Sequence, residues 1–222
     1  MIHPRFTEYG GGEVIALHII KALQDSGFSV SFASDNYNPA EVEKNFGMGR
    51  ILERASHIRL QPFRPFFRRF LALQHLRYAS GVIDVVKDLD ADVVFSTQSV
   101  LYYVPQKMTF HVVYDMADLF HILGRKEHGP LASFWKKPYY RLLRKSAGAN
   151  LRTNRLFIPL SNALEQELSQ LRYPHSSEVY PPCDMIFKPR PKKKQVCLVS
   201  RIAPQKNIHD FMEIASIDIN RK

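Results

Sequence analysis

The sequence predicts an α/β fold in which a mainly parallel sheet is flanked by helices, followed by the opening of a second, incomplete unit of the same kind. Three observations predict it. Short buried-strand signals alternate with helix-period segments along the first 180 residues, an order that favours parallel strands joined by helical crossovers. Composition is that of a globular chain, with 45% apolar and 23% charged residues among 222. A proline- and lysine-rich stretch then interrupts the pattern, and one more strand and helix come after it.

The elements come in this order. Met1-Ile2-His3-Pro4 reads as the tail of a strand leading into the loop Arg5 to Gly12. A helix is next, with Ile15, Ile19, Ala22 and Leu23 expected on one face and Gly27 placed to stop it. Phe28, Val30 and Phe32 alternate as in a strand. Residues 34–50, with Asn36, Asn38, Pro39, Gly47 and Gly49, read as loop-rich. A short strand is expected near Ile58-Arg59-Leu60, and a helix from Phe66 to Asp88. Asp92 to Ser96 and Phe110 to Tyr114 read as buried strands, residues 131–150 as a basic, aromatic helix. Leu156 to Leu160 is a further strand. Ser161 is the expected N-cap of a helix over Asn162 to Leu171, and Glu178-Val179-Tyr180 a last short strand. The expected domain boundaries are 1–182 for the first domain, 183–194 for the linker and 195–222 for the start of a second. Gln195 to Ser200 is the strand of that second domain, and its helix begins near Asn207. A single β-α unit cannot bury its own core, so Val196, Leu198 and Val199 are expected to lack full cover.

Several function classes are excluded or disfavoured. Cys183 and Cys197 are too few for a disulfide framework and lack the spacing of a zinc or redox motif. No apolar run approaches the roughly 18 residues needed to cross a bilayer, and no secretory h-region opens the chain. The expected location is cytoplasmic, with peripheral association at the membrane face as an option. The net charge of +10 and pI near 9.6 favour polyanionic partners.

Three motifs fall in a telling order. Tyr9-Gly10-Gly11-Gly12-Glu13 opens the first helix. Val179-Tyr180-Pro181-Pro182-Cys183-Asp184 precedes the linker. Ser200-Arg201-Ile202-Ala203-Pro204-Gln205-Lys206-Asn207 joins the strand and helix of the second unit. Together they resemble the retaining nucleotide-sugar glycosyltransferases of the two-Rossmann-domain (GT-B) type, the family 4-like group that includes sucrose and glycogen synthases and many lipid-linked-sugar mannosyltransferases. The Y-P-P-x-D pattern is closest to the mannosyltransferases.

The resemblance implies an acceptor-binding Rossmann-like domain, then a domain that binds a nucleotide-sugar. It implies transfer of a hexosyl unit, mannosyl being one option, to an acceptor hydroxyl with retention of configuration, and no metal or other cofactor. The acceptor would be a sugar, a lipid-linked sugar or a protein; nucleic acid is not an expected partner. The family's pair of glutamates, eight positions apart, would fall beyond Lys222, so the chain is expected to be incomplete as encoded.

Each site has a chemical rationale and a plainer alternative. Small residues at a strand-to-helix turn let backbone N–H groups approach an anion; the alternative for Gly10, Gly11 and Gly12 is a tight turn, and for Glu13 a helix cap. The loop does not fit G-x-G-x-x-G, because Ile15 stands where a third glycine belongs, and no phosphate-binding G-x-x-x-x-G-K-[ST] loop is present. In the family an Arg and a Lys at the spacing of Arg201 and Lys206 grip the donor diphosphate, where fixed cations stabilise the leaving group; the alternative is a solvated basic loop. After the strand ending near Tyr114, the family often places a histidine that reaches the transferred sugar. Here that position falls at Tyr114 or Asp115, with His121 able to substitute, so Asp115 and His121 are the candidate catalytic residues. Capping and surface placement are their alternatives. Finally, Phe63 to Phe70 and Trp135 to Lys145 interleave aromatic and basic residues, a composition suited to a membrane interface. A competing reading is therefore a non-catalytic module that docks on anionic lipid or a phosphorylated glycan.

Overall fold

A computed structural model describes residues 1–6, 10–64, 66, 71–114, 154–183, 191, 198 and 208–219. Two compact units are present, Met1–Pro182 and Cys183–Lys222.

In the first unit, five strands are described: β1 (Ser31–Ser34), β2 (Ser56–Arg59), β3 (Val93–Ser96), β4 (Met108–Val113) and β5 (Arg155–Pro159). The β1–β2, β3–β4 and β4–β5 pairs are all parallel. Ile2 joins the two sets by bridging in parallel to Ala33 on one side and Ser96 on the other. The amide of Ile2 donates to Phe95 O (2.7 Å), and the amide of His3 to Ala33 O (3.0 Å). The order across the sheet is therefore β2, β1, the Met1–His3 segment, β3, β4, β5. Counting that segment as the first strand gives 3-2-1-4-5-6, the doubly wound Rossmann order.

Successive residues of a strand face opposite sides, and the core divides accordingly. Phe32 packs with Leu17 and Ile20 of helix α1 (Gly11–Asp25), Phe6 and Val30. Its neighbour Ala33 packs with Ile2, Val94 and Ala79, Val82 and Val86 of α4 (Leu71–Val86). Helices α1 and α4 thus cover opposite faces. On the α4 face, Phe157 packs against Val113, Val100 and Leu168 of α5 (Asn162–Gln170). Ser161 caps α5 as its sequence predicts, its side chain accepting from the Leu164 amide.

Four expectations are corrected. Residues 34–50 are not loop throughout: they hold α2 (Pro39–Phe46) and the start of α3 (Gly49–Glu53). Asn38 caps α2 by accepting from Glu41 N, Pro39 sits in the first turn, and Gly47 ends the helix at φ 66°. A Cβ on Gly49 would run into the Pro39 carbonyl and the Glu43 side chain, so the tight α2–α3 junction needs glycine there. Second, the buried residues of α1 are Glu13, Ile15, Ala16, Leu17, Ile20 and Gln24. The buried stripe is rotated because Val42 of α2 and Leu52 of α3 form a second wall beside the sheet. Third, the strand expected at Phe28 to Phe32 is Ser31–Ser34. Gly27, at φ 87°, ends α1, and Phe28 remains 60% exposed. Fourth, Glu178 to Tyr180 is not a strand. Pairing along β5 is made earlier, at His175 opposite Phe157, where the Ser176 amide donates to Phe157 O (2.9 Å); further on the Val179 amide reaches Pro159 O (2.9 Å).

The second unit contains the described helix α6 (Ile208–Ile219), on which Met212 and Ile214 are exposed; Leu198 is 42% exposed. No described helix is long and apolar enough to cross a membrane. The helix expected over 131–150 and the strand expected over 195–200 lie outside the described residues, apart from Leu198.

Candidate ligand site at the sheet crossover

Ligands of open α/β sheets bind beyond the carboxyl ends of the strands where the strand order reverses. Here that point lies between the Met1–His3 segment, whose chain goes on to α1, and β3, whose chain goes on into residues 97–104, where Tyr102 and Val104 pack on the α4 face. The loop leaving His3 is clamped from both sides. From the β1 side, the Asp35 amide donates to Pro4 O (3.0 Å), Asp35 Oδ1 accepts from the Phe6 amide (3.0 Å) and Asn36 Nδ2 donates to Phe6 O (3.2 Å). From the β3 side, Gln98 Oε1 accepts from the Arg5 amide (2.9 Å) while its Nε2 donates to Arg5 O (2.6 Å).

Under this clamp lies a buried polar cluster. His3 is 1% exposed and Thr97 is fully buried. Nδ1 of His3 lies 2.7 Å from Thr97 Oγ1, and Nε2 lies 3.0 Å from Gln98 Nε2 and 3.7 Å from Glu13 Oε1. The other carboxylate oxygen, Oε2 of Glu13, accepts from the Gly10 amide at 2.8 Å and so caps α1, the plainer of the two roles expected for it. Burial pushes the Glu13 carboxyl up. Hydrogen bonds from His3 and from the amides of Glu13 and Gly10 outweigh it, so the net shift is downward.

The glycine loop runs over this cluster. None of Gly10, Gly11 and Gly12 sits at positive φ, unlike Gly27 and Gly47. A Cβ on Gly11 would meet nothing within 4 Å, and one on Gly12 only the Tyr114 ring at ordinary contact distance, 3.7 Å. Gly10 is different, since a Cβ there would press on Glu13 Oε2 at 3.3 Å, but neither backbone angle nor packing among the described residues demands glycine at 11 and 12. Among the described residues nothing covers the position where a Gly11 side chain would stand at this helix N-terminus. Tyr114 closes one side, its hydroxyl donating to Gly12 O (3.4 Å). Burial, then the Glu13 carboxylate, raises the Tyr114 pKa, so the phenol stays protonated and remains a donor.

A second group flanks the crossover on the α4 face. Phe63 packs on His75 (4.1 Å between ring centroids) and on Tyr78 (5.2 Å). Burial and the nearby Arg5 charge lower the His75 pKa. Burial and Asp35 push Tyr78 up to about 12. Its hydroxyl donates to Gln61 O (2.8 Å).

Of the residues singled out in the sequence, Gly10, Gly11, Gly12 and Glu13 come together here with Tyr114. Asp115, His121, Arg201 and Lys206 lie outside the described residues, as do Phe67 to Phe70 and Trp135 to Lys145. Sequence reasoning missed His3, Thr97 and Gln98. A signal was present: Thr97 and Gln98 directly succeed a buried strand, and polar residues at a strand's carboxyl end are where such folds place ligand contacts. Among the described residues no group of three or more His, Cys, Asp or Glu side chains is arranged to hold a metal ion.

No curated protein and no solved structure gives a significant match to the chain. One family does: the profile described as Glycosyltransferase Family 4 matches residues 9–184, from just before the glycine loop to the Y-P-P-x-D motif. With a match over most of its length, and a first unit in the Rossmann arrangement, the chain belongs to glycosyltransferase family 4.

Proposed function

We propose that the chain serves a retaining glycosyl transfer in which a hexosyl unit, mannosyl by the Y-P-P-x-D resemblance, passes from a nucleotide-sugar to an acceptor hydroxyl. The observation that carries this reading is the glycine triplet. It stands at the crossover of a family 4 domain, and at Gly11 and Gly12 neither backbone angle nor packing among the described residues requires glycine. Bare N–H groups at a helix N-terminus suit phosphate or sugar oxygens at close range. In this reading the Met1–Pro182 unit binds the acceptor, and Tyr114 donates a hydrogen bond beside the loop. Asp115 or His121 contacts the reacting sugar. Arg201 and Lys206 hold the donor diphosphate and stabilise the charge it gains as the glycosidic bond to phosphate breaks. With fixed cations in that role, no metal is required.

The test is transfer from a panel of guanosine- and uridine-diphosphate hexoses to a polyprenyl-linked sugar acceptor, with the product's anomeric configuration read by NMR. Transfer with retention is expected. An inverted product removes the retaining mechanism. If no donor is consumed while the chain binds anionic vesicles, the non-catalytic lipid-binding reading takes its place; the net charge of +10 and the 86% exposed Phe66 beside Arg64 favour that second reading.

A further inference from the structure

We propose that Arg155 is a positioning residue: from the amino end of β5 it fixes the turn after β3 that carries Thr97 and Gln98 to the crossover. The functional meaning of that turn rests on the reading of the crossover as the ligand-binding edge, but the contacts that hold it do not.

Two parallel strands are ordinarily joined through a helix, whose own hydrogen bonds set the path of the chain. Residues 97–107, between β3 and β4, contain no helix. Their buried backbone groups have to be met in other ways. Within the segment, Ser99 O accepts from Ser96 Oγ (2.8 Å) and from the Tyr102 amide (3.3 Å), and the Tyr103 amide donates to Leu101 O (3.2 Å). Two neighbours at the start of β5 pin it from outside. Asn154 Nδ2 donates to Pro105 O (3.0 Å). Arg155 Nη1 donates to Val100 O (3.1 Å), and its guanidinium lies over the Tyr103 ring, 3.5 Å from the centroid. Val100 follows Gln98 by two residues, and Gln98 holds both backbone groups of Arg5.

Arginine is a costly residue for this place. Arg155 is 2% exposed, and its Nε and Nη2 have no hydrogen-bond partner among the described residues. No ion pair to it is formed among them either. A guanidinium stays charged at any ordinary pH, and a buried charge without a counter-charge destabilises the fold. An apolar side chain of the same length would avoid that cost. It would lack a donor for Val100 O and a flat cation for the Tyr103 ring. Those two contacts fix the carbonyl at 100 and the side chain at 103, and with them the run between. Without the guanidinium, the carbonyl of Val100, a residue 7% exposed, loses its donor. The turn then shifts to recover one, and Gln98 moves with it.

The test is residue-resolved amide hydrogen exchange by NMR on the full chain with no substrate present, read beside the denaturant midpoint. Arg155→Met keeps an unbranched side chain and removes the charge. Exchange is expected to rise roughly tenfold, the loss of about one hydrogen bond's net worth, at the Tyr102 amide inside the turn and at the Arg5 amide that Gln98 holds. The midpoint should not fall, because an uncompensated buried charge is removed in the same step. Local and global stability thus move apart, which a side chain serving only the core would not produce. Tyr103→Phe keeps the ring beneath the guanidinium and should leave both amides within about threefold of wild type, whereas Tyr103→Leu removes the ring and should speed the Tyr102 amide by more than that. In wild type, Nη1 and Nη2 of Arg155 should give separate ¹⁵N signals, because the bond to Val100 O stops the group rotating. Three results overturn the proposal: Tyr102 and Arg5 exchange unchanged in Arg155→Met, exchange faster there only in step with a lower midpoint, or a single averaged Nη signal. Should Arg155→Met fail to fold, equal effects of Tyr103→Phe and Tyr103→Leu on the Tyr102 amide overturn it instead. Because no sugar donor enters the experiment, a turn held by Arg155 in a chain that transfers no sugar refutes the functional reading alone.

Discussion

Acidification from pH 6.5 to 4 destabilises the Met1–Pro182 unit by about 3 kcal/mol through one side chain, and His111→Leu removes most of that loss. His111 sits mid-sheet in β4, 1% exposed, paired in register with Ser96 and Phe157 and stacked on the Phe157 ring at 5.5 Å. Neither ring nitrogen has a hydrogen-bond partner among the described residues; a backbone group of Ser99 lies close enough to favour the charged ring slightly. Burial first, then the positive Arg155, outweighs it and pushes the imidazole from its ordinary 6.5 down to about 3. The folded state refuses a proton that the unfolded chain accepts below pH 6.5, so the full stability is present above that value. It is lost as pH falls toward 3, at about 1.4 kcal/mol per unit. Glu13 acts in a lower window: its depressed carboxyl contributes stability above its ordinary 4.5, lost only as pH falls through the lower folded value. Denaturant midpoints at pH 7.5, 6 and 5 separate the two. A His111→Leu variant as acid-sensitive as wild type would show that the imidazole is not held neutral.

Under the proposed donor grip, Arg201→Ala is expected to lower the rate of sugar transfer by about 100- to 1,000-fold, the usual cost of removing one preorganised group that meets charge developing in the transition state. Thermal unfolding of the Met1–Pro182 unit should be unchanged, because Arg201 belongs to the Cys183–Lys222 unit. Lys in its place recovers only part of the rate, since an ammonium cannot make the bidentate contact of a guanidinium. Turnover in Arg201→Ala equal to wild type would remove the residue from the mechanism and with it the proposed donor grip.

Features with a period or a cap were legible in the sequence. The runs at Asp92 to Ser96 and Leu156 to Leu160 were visible as strands because a parallel sheet is buried on both faces. Ser161 was visible as a cap because its type and place agree. Helices α2 and α3 were hidden by composition: a stretch with three asparagines, a proline and two glycines looks like loop. Yet Asn38-Pro39 is a start signal and Gly47 a stop signal, so the cap chemistry was there to be weighed above the average. The burial of α1 was misjudged because a single-face pattern assumes one neighbour, and α1 has the sheet on one side and α2 with α3 on another. The site divides the same way. The glycine triplet stands out locally, but the His3–Gln98–Glu13 cluster joins residues some ninety positions apart, and nothing periodic in a single sequence reports such a contact.

The most direct test of the glycosyltransferase reading is hydrogen–deuterium exchange of the full chain with and without a nucleotide-hexose and a polyprenyl-linked acceptor. That reading predicts protection by the acceptor in the peptide spanning Gly10 to Glu13 and protection by the donor across Arg201 to Lys206. Protection confined to residues 63–70, and produced by anionic vesicles alone, would contradict it and leave a lipid-binding module.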